Sequence, residues 1–398
     1  MNAMQGPDRP SDRALLVALN AAPGLGRAAI CRLGADLDRW RDGVAPGDER
    51  DLAARFSISL DSLHIALAVR AGAKAVLAYE EQAIERLGAQ IFTCREADYP
   101  ARLAELALPP PVLEIAGSPA FGRRKSAGEG LDGPTGPASV AIVGSRKATP
   151  YGLEIAAWLA RELAGEGIVV VSGFAKGIDA AAHQGALAAE NGQTVGVLGC
   201  GLSFDYPKGH RELGLRIRQR GALVSEFPCA WPPSAGNFPV RNRIIAALAD
   251  VVVVVEAAAR SGSLITARLA LELGREVLAV PGRITDEQAL GTNDLLRDGA
   301  APVTHPADIL ERLGLGVGAP RRAYAESASG APPATPPELS AAQGALFAAL
   351  DPARAQAVDT LAAAADLGVD VAVAGLLELE LGGWAVRAAG GGYRRGGS

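Results

Sequence analysis

Four short stretches of this sequence gather the residue types that hold an anion. Gly144-Ser145-Arg146-Lys147-Ala148-Thr149 combines a glycine that lets backbone amides come close, two hydroxyls, and an arginine whose planar fork matches a phosphate. An ordinary turn between a strand and a helix is the alternative. Ser172-Gly173-Phe174-Ala175-Lys176-Gly177 sets Lys176 between two glycines, just ahead of a helical stretch. There Asp179 reads as a helix cap and His183 as a structural imidazole. Ser261-Gly262-Ser263 falls at another helix start, where its hydroxyls suit a phosphate or the cap of that helix. The first stretch is neither the G-x-G-x-x-G fingerprint nor a P-loop, so neither a dinucleotide nor NTP hydrolysis is indicated.

The fourth stretch, Gly236-Asn237-Phe238-Pro239-Val240-Arg241-Asn242-Arg243, places an aromatic ring, two arginines and an asparagine at the start of a helix. A phosphate grip beside a stacking platform is what binding of unpaired nucleic acid requires. A phenylalanine is as often simply core, and that reading of Phe238 stays open. The surrounding charge is lopsided. Lys208, Arg211, Arg216, Arg218, Arg220, Arg241 and Arg243 face only Glu212 and Glu226 between 206 and 249, in a chain of net charge −5. Arg216, Arg218 and Arg220 read as a solvated helix face. No nucleophile, base and orienting group assemble: G-x-S-x-G, H-E-x-x-H and paired acids beside a base are all missing, so an enzyme is not indicated. Cys31, Cys94, Cys200 and Cys229 are scattered, and with His64, His183, His210 and His305 they make no metal-ligand spacing. They read as reduced thiols of a cytoplasmic protein without a cofactor.

The elements that must position these residues follow from hydrophobic patterning. Unbroken β-branched runs at 140–143, 168–171, 195–198, 251–255 and 277–280 alternate with helical stretches at 152–165, 178–190, 209–220 and 263–273. Strands buried on both faces and separated by helices mean an α/β fold with a Rossmann-like, doubly wound parallel sheet. In such sheets ligands bind beyond the strand C-termini, where all four stretches fall. Residues 11 to about 88 carry helical spacing, broken by the Pro/Gly turn at 22–26; that turn is a connector or, less directly, an amide-presenting hairpin for a DNA phosphate. The polar, Gly-rich stretches 122–138 and 316–337 read as flexible connections. The tail gives helices at 341–350, 356–365 and 370–381 and a closing hairpin, the pattern of a winged helix. The expected division is therefore 1–88 helical (SAM-like), 89–315 Rossmann-like and DNA-binding, 316–339 linker and 340–398 winged helix. At 49% hydrophobic and 21% charged the chain is not a disordered one. No run approaches the roughly 18 apolar residues of a membrane span, and the first residues do not read as a secretory signal.

Taken together these motifs resemble the bacterial DNA-processing protein DprA (Smf) family. Val140-Ala-Ile-Val-Gly-Ser-Arg146, Ser172-Gly-Phe-Ala-Lys-Gly-Ile-Asp179, Gly196-Val-Leu-Gly-Cys-Gly201, Asn237-Phe-Pro-Val-Arg-Asn-Arg-Ile-Ile245, Ser261-Gly-Ser-Leu264, Ala279-Val-Pro-Gly282 and Gly291-Thr-Asn-Asp-Leu-Leu296 occur in that family's order. The resemblance implies a non-enzymatic protein that binds and protects single-stranded DNA during natural transformation, loads the recombinase RecA onto it, and works as a homodimer. It implies that Gly144, Ser145, Arg146, Lys176, Arg241, Asn242 and Arg243 line the DNA groove and that Phe238 contacts a base. Phe174 and Lys176 depart from the leucine and arginine frequent there, and 122–138 is longer than usual. Two other readings are weighed beside it. A Rossmann-like nucleotide-processing enzyme of the phosphoribohydrolase type would use Glu256, but its P-G-G-x-G-T signature is absent. A duplex-DNA regulator acting through the winged helix meets few cations before Arg387, Arg394 and Arg395.

Overall fold

The computed structural model describes residues 10–45, 47–117, 137–315, 339–351, 355–381, 384–387 and 392–395. Nearly all of the two expected connections, 122–138 and 316–339, lies outside the described residues. Contacts divide the chain into two compact units, Met1–Ala319 and Pro320–Ser398. Among the described residues no single helix is long and apolar enough to cross a membrane.

The first unit begins with α1 (Asp12–Ala21), α2 (Arg27–Ala35), α3 (Glu49–Phe56), α4 (Leu60–Arg70) and α5 (Ala73–Glu85). Every residue of α1 from Ala14 to Asn20 is buried, so this helix is the centre of the helical layer rather than an amphipathic cover. Its core runs on through Ile91, Val112 and Cys229 into the sheet, so the layer and the sheet share apolar contacts across the expected boundary at 88.

The sheet has nine strands: β1 (Ala89–Thr93), β2 (Val112–Gly117), β3 (Ser139–Val143), β4 (Val169–Ser172), β5 (Thr194–Val197), β6 (Ala222–Ser225), β7 (Val251–Val254), β8 (Glu276–Ala279) and β9 (Ala301–Pro302). Their order is β1-β2-β6-β5-β4-β3-β7-β8-β9. Neighbours from β6 through β9 are parallel, and β1–β2 and β2–β6 are antiparallel. The expected parallel Rossmann-like sheet is thus extended by a two-stranded antiparallel edge that the β-branched runs did not announce. Each residue of β3, β4, β5, β6 and β7 is buried. Alternate side chains meet different layers. Ala141, Val143, Val169, Val171, Val252 and Val254 pack with α10 (Asn237–Leu248) and α11 (Gly262–Glu272), reached after α6 (Ala101–Ala104), α7 (Pro150–Gly165), α8 (Ile178–Ala188) and α9 (Arg211–Arg220). Leu223, between Ala222 and Val224 of that core, joins Leu187 of α8 and Leu213 and Ile217 of α9 on the other face. Two further helices, α12 (Leu290–Arg297) and α13 (Pro306–Arg312), flank β9 in sequence. The last strand is two residues long and ends on a proline.

Polar groups cross the seam between helical layer and sheet. Glu226, just past β6 and 1% exposed, receives both terminal nitrogens of Arg243, at 2.7 and 2.8 Å, and the Nε of Arg27 lies 3.5 Å away. Glu80 of α5 accepts from the backbone N–H of Cys229 at 2.5 Å. The Glu114 carboxyl of β2 is buried beside that of Glu80. Burial, and then the nearby Glu80 carboxyl, push it from 4.5 up to about 11.

The second unit is a winged helix. Helices α14 (Ala341–Ala349), α15 (Val358–Ala364) and α16 (Val369–Leu381) precede the antiparallel pair β10 (Ala385–Arg387) and β11 (Tyr393–Arg395), and Gln356 adds a bridge to Tyr393. Leu346, Leu361, Leu376, Leu379 and Tyr393 form its core. The exposed side of α16 shows Val369, Val373 and Leu377 beside Asp370 and Glu378, and the helix has no Lys or Arg.

The raised Glu114 value makes stability pH-dependent in a defined direction. A group whose folded value lies above its unfolded one contributes its full stability below the unfolded value, here about 4.5, and loses it as pH climbs toward the folded value. Glu114→Gln removes that loss. Urea unfolding at about pH 5 and about pH 9 is expected to show the variant gaining on the parent at the higher pH; a constant difference between the two proteins contradicts it.

Candidate nucleic-acid interface

The order of a parallel sheet fixes where a cleft opens. Strands β3 and β7 pair side by side, Val140 with Val251 through Val143 with Val254. From β3 the sheet builds outward through β4 and β5 on one side, and from β7 through β8 on the other. The chains leaving β3 and β7 therefore diverge, and a crevice forms between their loops at the strand C-termini. A cavity of about 920 Å³ occupies that place. Gly144, Ser145, Arg146 and Lys147 line it from the β3 loop, Ala258, Arg260, Ser261 and Ser263 from the β7 side, and Phe238, Arg241 and Asn242 from α10.

A second cavity of about 440 Å³ adjoins the first, sharing Arg146, Ala175, Tyr206 and Phe238 with it. Lys176, Lys208, Leu198 and Gly199 are among the residues that line it further. The two loops that carry Arg146 and Lys176 are in backbone contact: the N–H of Ile178 donates to the carbonyl of Ser145 at 3.2 Å. Gly177 makes this approach possible. Its φ is +81°, and a Cβ there would stand 2.3 Å from that carbonyl oxygen.

The predicted residues divide by what their side chains touch. Arg146 is exposed, with its guanidinium carbon 4.8 Å from the centre of the Phe238 ring; Tyr206 stacks on the same ring at 5.5 Å and 33°. Phe238 is thus half-buried, between the two readings the sequence left open. Lys176 is exposed and, like Arg146, Lys147, Lys208 and Arg260, has no ion-pair partner among the described residues. The Ser145 hydroxyl donates to Gln288 at 2.6 Å and accepts from the N–H of Lys147 at 3.0 Å. Ser261 caps α11, accepting from the N–H of Ser263 at 3.3 Å, with the two hydroxyl oxygens 2.7 Å apart. Asn242 donates to the carbonyl of Gly262 at 3.2 Å and so ties α10 to that capped end.

Two arginines differ from expectation. Arg241 lines the cavity but is only 3% exposed, and its Nη1 donates to the carbonyls of Gly173, at 2.6 Å, and Val197. Burial lowers it to about 10, opposed by Asp179, so it stays cationic at neutral pH. It holds the loop that carries Lys176; its fork is turned to the backbone rather than offered outward. Arg243 lies outside both cavities, because α10 turns it away and Glu226 takes its guanidinium. It fastens α10 to the segment just past β6.

Asp179 and His183 are buried supports. Asp179 accepts from the N–H of Ala175 at 3.2 Å; burial raises its carboxyl and Arg241 opposes the rise. His183, paired through Nδ1 with Thr194 at 2.7 Å, is pushed down to about 3 by burial and is neutral. Glu256 is 4% exposed, and its carboxylate accepts from the N–H and the hydroxyl of Thr149 at 2.9 and 2.5 Å, at the start of α7. Sequence reasoning did not select Lys147, Tyr206, Lys208, Arg260 or Gln288. Lys147, Lys208 and Arg260 carried a signal, since each sits in a glycine-bearing loop; Tyr206 and Gln288 enter only through folding.

Residues 90–314, more than half of the chain, match the family described as DNA recombination-mediator protein A, and residues 330–391 match the DprA winged helix domain. The chain belongs to the DprA (Smf) family of DNA recombination mediators. Among its relatives, Protein Smf of Escherichia coli (strain K12) is 45% identical over 262 residues, covering 64% of this chain and 67% of that protein. The putative DNA processing protein DprA of Mycobacterium tuberculosis is 49% identical over 178 residues, which are 45% of this chain and about half of that relative, 46%. The X-ray structure of DNA processing protein A (DprA) from Streptococcus pneumoniae aligns with a TM-score of 0.62 at 31% identity, covering 76% of this chain and 98% of that one. The cavities lie wholly within the stretch that matches the recombination-mediator family.

Arg241 and Arg243 are expected to matter first for stability. Arg241→Met leaves Asp179 buried without its partner and is expected to cost about 3–5 kcal/mol. Arg243→Met leaves Glu226 only Arg27, 3.5 Å away, and is expected to cost less. Denaturant titration checks this, and losses near zero would show that neither cation is structurally engaged.

Proposed function

We propose that the protein binds single-stranded DNA at the crevice between β3 and β7. The observation that carries this reading is the convergence of unpaired cations on one rim. Arg146, Lys147 and Arg260 border the larger cavity, Lys176 and Lys208 the adjoining one, and the Phe238–Tyr206 pair stands between them. Phosphates suit the cations and the helix N-termini, and unpaired bases suit the rings. A crevice of about 920 Å³ has the scale of a few nucleotides rather than a duplex.

The rest of the proposal follows the character of the family. The bound strand is protected and handed to the recombinase RecA during natural transformation, by a homodimer working in the cytoplasm. Binding rather than catalysis is supported by Glu256, the residue a phosphoribohydrolase-type reading would need, whose carboxylate is committed to Thr149. The apolar and acidic face of α16 likewise favours a protein or structural role for the winged helix over reading a DNA groove.

Fluorescence anisotropy with single-stranded, double-stranded and free-nucleotide ligands tests this. Affinity for the single strand should fall with salt at a slope of about −0.7 per phosphate contact. Arg146→Glu and Lys176→Glu should each weaken binding and make the slope shallower by about 0.7 or more. If both variants match the parent at every salt concentration, the rim is not the DNA site. Free base released from nucleoside monophosphates would point to catalysis.

A further inference from the structure

Exposed arginines on four helices of the first unit are answered by carboxylates: Arg161 by Glu162 on α7, Arg268 by Glu272 on α11, Arg297 by Asp294 on α12, and Arg312 by Glu276. Helix α9 is different. Its ten residues hold Arg211, Arg216, Arg218 and Arg220 against Glu212 alone. Arg220 donates to the carbonyls of Leu187 and Ala189, at 3.1 and 2.8 Å, at the end of α8. Arg211, Arg216 and Arg218 have no ion-pair partner among the described residues, although Glu212 stands one turn from Arg216.

Helix stability does not account for all of these charges. Cations in the last turn, Arg218 and Arg220, complement the helix dipole. Arg211 is in the first turn, where a cation opposes that dipole, and Arg216 is in the middle. Both are exposed. Position supplies what stability does not. The chain leaves β5 through Leu198, Gly199 and Cys200, passes Lys208 on the wall of the second cavity, and enters α9 three residues later. Because β5 and β6 are parallel, the intervening helix runs back from the rim, so its first turn lies nearest the cavities. From Arg211 to Arg218 the helix rises about 10 Å. Leu215, 45% exposed and one turn beyond Arg211, and Phe204, 36% exposed in the preceding loop, add apolar surface to the same stretch.

We propose that α9 is a second binding segment for the same strand. Single-stranded DNA leaving the crevice past Lys176 and Lys208 continues along α9, with its phosphates on Arg211 and Arg218, which stand seven residues apart on one side of the helix. This rests on the reading of the crevice as a single-strand site and extends the footprint beyond it. The crevice alone holds a short oligonucleotide; only a longer one reaches the helix.

The test uses the full chain, oligothymidylates of about 6 and about 20 nucleotides, and anisotropy across a salt series. The double variant Arg211→Glu/Arg218→Glu is expected to bind the short oligonucleotide like the parent. It should bind the long one roughly tenfold more weakly at low salt, with a slope shallower by about 1.4 for two lost contacts. Arg211→Lys/Arg218→Lys, which keeps the charge, should restore the long-strand affinity. Unchanged binding of the long strand overturns the proposal, as does an equal loss with the short one. A parent that binds neither length withdraws the crevice reading itself, and α9 with it.

Discussion

At the ends of β4 and β5 two backbone carbonyls, of Gly173 and Val197, converge on one guanidinium that water barely reaches. Unpaired carbonyls in that place would carry the full cost of desolvation, and an unbalanced cation would cost more. Asp179 supplies the balance and also takes the N–H of Ala175, which lies in the same loop as Lys176. One buried charge pair thus determines where the loop between β4 and α8 stands. That loop in turn leans on the β3 loop through the bond from Ile178 to Ser145. The rim that offers Arg146 and Lys176 outward depends on a cation of the same kind turned inward.

Arginine has three employments within a short distance here. Arg146 lies over an aromatic ring at the surface, Arg241 sits under the rim with backbone carbonyls, and Arg243 ties α10 to Glu226 just past β6. The planar, permanently charged group suits all three, because it is less strongly hydrated than an ammonium and carries several donors in a fixed plane. A chain with net charge −5 can therefore present a cationic rim: Arg146, Lys147 and Arg260 outnumber Glu287 along the larger cavity, and Glu256 and Glu226 are already engaged beneath the surface.

How much of this was legible in the sequence depends on how local the cause was. The β-branched runs at 140–143, 168–171, 195–198, 251–255 and 277–280 each became a strand, since burial on both faces leaves its mark in composition alone. Strands β1 and β2 were not read, because Gln90 and Glu114 interrupt their apolar character and their partners are distant in sequence. Strand β6, Ala-Leu-Val-Ser, holds only one β-branched residue, and β9 is two residues long, so neither leaves the mark of a buried run. At the site, glycines and hydroxyls in strand-end loops were sufficient to locate 144–147 and 261–263. The fates of Arg241 and Arg243 were not available, since they turn on which way α10 faces and on a glutamate 17 residues upstream. Spacing puts residues two apart on different sides of a helix, but it does not say which side is the groove.

The far edge of the sheet is blunt. Strand β9 contributes two residues, and Pro302 has no N–H to offer a further strand. A protein with a broad apolar sheet is exposed to edge-to-edge stacking into fibres. Closing that edge with a proline means that copies brought side by side cannot extend one another's sheet there, so crowding does not become aggregation through this edge.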